Sequence, residues 1–183
     1  MPQAVTHFLL AALIVALFRD YYLRKRDKKH FPLHYVLIGG IGGVLPDFDF
    51  ALFWVFQLFG ETVWEVHRGF THTLLFAGAF IILGLVFRGL KKADYVDHRR
   101  MKLSVICALL AIGILIHIFL DLILFGNTTN LLYPFLQHGA IGLNLVSYIP
   151  SDVVGVFFGS MDGIFLLAWI VYLELKHKIS DFI

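Results

Sequence analysis

Apolar runs separated by basic stretches set the pattern of this chain. Five segments are apolar enough to cross or enter a bilayer: Ala4–Tyr22, Leu33–Phe59, Thr73–Phe87, Leu103–Phe125 and Val153–Leu175. A crossing helix needs ~20 such residues, so the sequence predicts an all-α bundle of about five spans. The second segment is interrupted by Leu45-Pro46-Asp47-Phe48-Asp49. Proline breaks the backbone ladder, and irregular backbone at membrane depth must be buried in protein or line a wet cavity. Gly39, Gly40, Gly42 and Gly43 precede the break and permit close helix contact. Gly155, Gly159 and Gly163 stand four apart in the last run and predict a packing face there. Trp64 is placed to seat the start of the third span at the interface.

Composition supports a membrane protein. Hydrophobic residues make up 59% of the 183 positions and charged residues only 15%, where a soluble domain carries ~25%. Mean hydropathy is +0.81. The length suits a single domain. The single cysteine, Cys107, allows no internal disulfide. The opening Met1-Pro2-Gln3-Ala4 has no positive region, so the first run is expected to stay as a helix.

The basic residues predict an orientation. Arg19, Arg24, Lys25, Arg26, Lys28 and Lys29 lie between runs one and two, and Arg88, Lys91, Lys92, Arg99, Arg100 and Lys102 between three and four. Lys176 and Lys178 follow run five, and only Arg68 falls elsewhere. The positive-inside rule makes those three regions cytoplasmic, with the N-terminus outside and the C-terminus inside. Simple topology signalling accounts for these clusters, and no nucleic-acid partner is expected.

Within that frame the ionisable residues of the apolar runs gather at one depth. His117 and Asp121 stand four residues apart in Leu103–Phe125, on one helix face. His117 lies about 21 Å up its run from Leu103, and Asp47 about 21 Å along its run from Leu33. His7 opens the first run, Asp49 follows Asp47, and His67 and His72 lead into the third. All seven fall in the outer half of the bilayer. Charged groups there are costly and mark functional sites.

Imidazole and carboxylate together suit a divalent metal, most readily zinc with four ligands. Asp47, one of His67 or His72, His117 and Asp121 would form such a set, and His7 could serve a second ion sharing Asp121. Asp49 is placed to accept a proton from water, His67 to act as a ligand or beside one, and Arg68 to hold a phosphate. Plainer roles exist: Asp47 and Asp49 as turn or cap residues after Pro46, Thr71 as a helix cap, His117 and Asp121 as packing glue. Thr6-His7-Phe8-Leu9-Leu10 matches Thr71-His72-Thr73-Leu74-Leu75 and fits two equivalent ligand positions. His30, His34, His98, His177 and Asp181 fall on the cytoplasmic side, while His138 and Asp152 lie in the outer loop.

Thr6-His7, Pro46-Asp47-Phe48-Asp49, His67-Arg68-Gly69-Phe70-Thr71-His72-Thr73, His117-x-x-x-Asp121 and Tyr133-Pro134-Phe135 together resemble the YdjM-like inner-membrane metal-dependent hydrolases. Their order is similar to that in zinc-dependent phospholipase C and the single-strand-specific zinc nucleases. The resemblance implies a zinc site of Asp47, His67 or His72, His117 and Asp121, with His7 near a second ion. It implies one or two metals rather than three, because the soluble enzymes' N-terminal tryptophan and further His-x-x-x-acid pair have no well-placed counterpart here. The expected activity is hydrolysis of a phosphoester, such as a phospholipid headgroup, from the outer face of the inner membrane. Membrane lipids are the expected surroundings, and the sequence carries no signal for an oligomeric order. The competing readings are a transporter and a structural protein whose metal staples helices. The cytoplasmic halves of the runs are nearly free of polar residues, which counts against a through-path.

Overall fold

The computed structural model describes residues 4–21, 31, 33–60, 70–90, 94–96, 101–126, 131, 132, 135 and 142–177. Among these residues six α-helices dominate: α1 (Ala4–Tyr21), α2 (His34–Val44), α3 (Asp49–Phe56), α4 (Leu74–Gly89), α5 (Leu103–Phe125) and α6 (Val154–His177). A two-residue hairpin, β1 (Tyr95–Val96) with β2 (Met101–Lys102), leads into α5. Among the described residues α1, α5 and α6 are long and apolar enough to cross a membrane. The all-α membrane fold is as the sequence predicts, and the helices of the second and third segments are shorter than these three. α4 has 16 residues, about 24 Å. The second segment is α2, a 3-10 turn over Leu45–Phe48, α3 and a further 3-10 turn over Gln57–Phe59. Pro46 sits near the start of that turn, where its missing N–H costs nothing.

Glycine sets the spacing of the core. α2 is wedged between α1 and α5 with its glycines on both contacts. A Cβ on Gly43 would collide with the His7 carbonyl and stand 2.8 Å from the Ala11 Cβ. One on Gly113 of α5 would stand 2.6 Å from the Gly42 carbonyl carbon and the Gly43 nitrogen. In lipid, where tails are as apolar as side chains, such backbone approach is what holds helices together. The triplet Gly155, Gly159 and Gly163 behaves differently. Each would meet open space within the described residues, so that stripe is not an internal packing face.

Polar fastenings fix the helix directions. The Thr6 amide on α1 donates to Asp162 on α6 at 2.9 Å, and the Thr6 hydroxyl donates to the same oxygen. Further along both helices, the Tyr172 hydroxyl donates to Asp20 at 2.8 Å. α1 and α6 therefore run parallel. α2 runs antiparallel to α1, because Gly43 meets His7 and Gly39 meets Val15. α5 runs with α2: Tyr35 accepts from the Lys102 amide at 2.8 Å, and Gly43 accepts from His117 at 2.7 Å. Arg19 is not a solvated topology charge. It is buried, donating to the Phe31 carbonyl at 2.8 Å and pairing with Asp20 at 3.1 Å. The start of α1, the turn after α2, the start of α4 and the second half of α5 come to one end of the bundle.

Candidate metal centre

Six of the seven converging residues meet at that end. His7, Asp49, His72, His117 and Asp121 are buried, and Asp47 is partly so. His72 and His117 approach Nε2 to Nε2 at 3.2 Å. Asp47 Oδ1 lies 3.6 Å from His72 Nε2 and 3.7 Å from His117 Nε2. Asp121 Oδ2 lies 3.8 Å and 3.6 Å from the same two nitrogens. Its other oxygen, Oδ1, lies 3.5 Å from His7 Nε2. The His7 ring stacks on His117 with centroids 3.9 Å apart.

The outer sides of the rings explain which atoms point inward. Gly43's carbonyl can only accept, so neutral His117 carries its proton on Nδ1 and turns a lone pair on Nε2 into the cluster. His72 has a similar support. Its Nδ1 lies 3.1 Å from the Thr71 hydroxyl, which in turn donates to Asp49 Oδ2 at 2.9 Å. Thr71 thus accepts from His72, and the His72 Nε2 lone pair also faces inward. Two imidazole lone pairs 3.2 Å apart and two carboxylate oxygens beside them are four acceptors around one point. Mutual repulsion opposes that gathering unless a proton or a metal cation sits among them.

The spacing suits a metal. Ligand atoms about 2.0–2.1 Å from a tetrahedral zinc lie about 3.3 Å from one another, close to the 3.2 Å nitrogen pair. Two triads bring ligand atoms within 4.8 Å of one another, His72 with His117 and Asp121, and His7 with Asp47 and His117. Asp121 faces the first with Oδ2 and His7 with Oδ1, as a carboxylate shared by two ions would. Among the described residues, Nδ1 of His7 is buried without a hydrogen-bond partner.

Local sequence accounts for the positions. The two Thr-His pairs are built alike: Thr6 bonds Asp162 and Thr71 bonds Asp49, each tying its histidine's segment to a carboxylate of another element. Thr71 does not cap α4. Thr73 does, with an extended backbone and its hydroxyl accepting from Phe76 N–H at 3.2 Å, because the cap position requires that conformation. Thr71 belongs instead to the 3-10 turn Phe70–His72.

Asp49 also differs from expectation. Its carboxylate lies 3.5 Å from His72 Nδ1, behind the ring and opposite the inward Nε2. From that side it is placed to orient His72. Asp162 was missed by sequence reasoning. The signal was present, because a lone carboxylate within an apolar run is costly and needs a partner. His67 and Arg68 lie outside the described residues, as do Trp64, His30, His98, His138, Tyr133, Pro134 and Asp181. His34 is half-buried at the start of α2, at the other end of the bundle, and Asp152 is exposed before α6.

The family model described as YdjM inner membrane protein matches residues 1–179. No curated protein and no solved structure matches the chain. The likeness to zinc-dependent phospholipase C and the zinc nucleases therefore rests on motif order.

Proposed function

The chain belongs to the YdjM inner membrane protein family, and from that premise we propose a divalent-metal-dependent phosphoester hydrolase working at the outer face of the membrane. The observation that carries this reading is the gathering of four acceptors, Nε2 of His72 and His117 with Oδ1 of Asp47 and Oδ2 of Asp121, at 3.2–3.8 Å. These residues would hold one zinc ion, and His7 with the second oxygen of Asp121 would hold another. When bound, such an ion supplies Lewis-acid polarisation of a phosphoryl oxygen and lowers the pKa of water toward ~7.

The chain's own residues do the rest. Gly43 and the Thr71–Asp49 pair lock the two rings, so the nitrogens are held in place before any substrate arrives. Asp162 holds the first turn of α1 through Thr6 and with it His7. The cluster is most open at Asp47, whose side chain is 16% exposed while those of His72 and His117 are fully buried. Phe48 and Phe70, both more than half exposed, stand beside that opening in sequence. Exposed aromatics next to a polar opening suit a substrate with an apolar body and a polar head, which favours a lipid phosphoester. Arg68, four positions before His72, is the proposed cation for its phosphate. In this reading the N-terminus faces out and the basic loops face the cytoplasm.

The test is hydrolysis by the purified, zinc-loaded protein of bis-p-nitrophenyl phosphate and of phosphatidylcholine in mixed micelles. Turnover of either, lost in His117→Ala and Asp121→Asn, is the expected result. A metal-loaded protein inert towards both overturns the hydrolase reading.

A further inference from the structure

Away from the metal centre, a groove of about 620 Å³ opens on the exposed face of α5. Ala108 and Ile112 of α5, Phe18 of α1 and Leu85 of α4 are among its lining residues. Its lining is apolar except at one end, where Arg88, Lys102, Ser104 and Asp94 form the rim. Beyond Ile112 and Leu115 a second apolar groove of about 610 Å³ continues along α5 to Ile123. The polar end is therefore single, and the trough has a direction.

We propose that this groove holds an acyl chain of an anionic phospholipid whose headgroup rests on Arg88 and Lys102. Length fits first. From Lys102 to Leu115 the helix rises about 20 Å, enough for a tail that reaches the middle of a ~30 Å hydrocarbon core. Charge comes second. Among the described residues two cations stand at the rim against one carboxylate, and that carboxylate is engaged: Asp94 accepts from the Ser104 amide at 2.7 Å and from its hydroxyl at 2.9 Å. Lys102 is held at the rim by its hairpin, its ammonium 5.4 Å from the centre of the Tyr95 ring. Basic side chains at this depth attract anionic headgroups. A second copy of the chain fits less well. A two-fold interface with its axis along the membrane normal would set the same basic rim against itself.

Native mass spectrometry of the purified protein, exchanged into vesicle-derived nanodiscs of dioleoyl phosphatidylglycerol or dioleoyl phosphatidylcholine, tests this. Phosphatidylglycerol should bind about tenfold more tightly than phosphatidylcholine. The Arg88→Gln/Lys102→Gln double variant should lose the preference, and Ala108→Phe, which adds bulk to the lining, should weaken both lipids. Equal affinity for the two lipids, or wild-type binding by the double variant, overturns the proposal. So does efficient chain-to-chain disulfide formation in membranes by Leu115→Cys, which would put a second copy in the groove. None of these readouts depends on the metal.

Discussion

Gly113→Ala is the substitution whose effect the geometry defines most closely. The new methyl would stand 2.6 Å from the Gly42 carbonyl carbon and the Gly43 nitrogen, where ordinary contact begins near 3.4 Å. All the nearest obstacles are backbone, so no side chain can swing aside. The Gly39 carbonyl oxygen is nearer still, so α5 and α2 must separate by at least about 0.8 Å, the difference between those two distances. The His117–Gly43 bond, 2.7 Å long, would stretch to about 3.5 Å, beyond a useful hydrogen bond. His117 then loses both its ring orientation and its distance to Asp47. Overpacking of this kind costs about 1–3 kcal/mol, and loss of a support for a ligating histidine weakens metal binding ~10–100-fold. Gly78→Ala on α4 is the matched control, because a methyl there meets open space. Both variants gain the same helix propensity, so their difference isolates the contact. Zinc competition titration and thermal unfolding in detergent read the two effects. If Gly113→Ala matches Gly78→Ala in both, the close approach of α2 and α5 is not what positions His117.

Asp49→Asn should weaken zinc binding ~10–100-fold through loss of its support for His72, while Asp121→Asn should reduce the bound metal far more; equal effects of the two would contradict their separate places. Asp162→Ala removes the acceptor for the Thr6 amide and hydroxyl, at a cost of about 1–3 kcal/mol. It should lower metal stoichiometry by the ion nearest His7 and leave the other bound, as metal analysis by mass spectrometry would show. Tyr172→Phe loses the bond to Asp20 and about 1.5–3 kcal/mol of stability; the thermal midpoint should fall with zinc content unchanged.

Much of the site was legible because the membrane makes polar residues conspicuous. His117 and Asp121 are visible from their spacing in an apolar run, and Asp47 from the proline break beside it. Their common depth follows from counting residues from the basic ends. The supporting contacts were harder to see. Gly43 acts through its carbonyl, which any residue would supply, and only its lack of a Cβ hints at the close approach. Asp49 looks like a proton acceptor for water in sequence because nothing there says which ring nitrogen of His72 it faces. The interior of the second run was only partly legible: the break at Pro46 is visible in sequence, but not that it takes the form of a 3-10 turn between α2 and α3. The glycine triplet on α6 has the spacing of a packing motif, on a face that meets none of the described residues.

Zinc K-edge X-ray absorption of the metal-loaded protein probes the donor set itself. The account predicts nitrogen and oxygen donors at about 2.0–2.1 Å with the scattering of at least two imidazoles, reduced in His117→Ala. A sulfur donor, an oxygen-only shell without imidazole, or a spectrum unchanged by His117→Ala would contradict it.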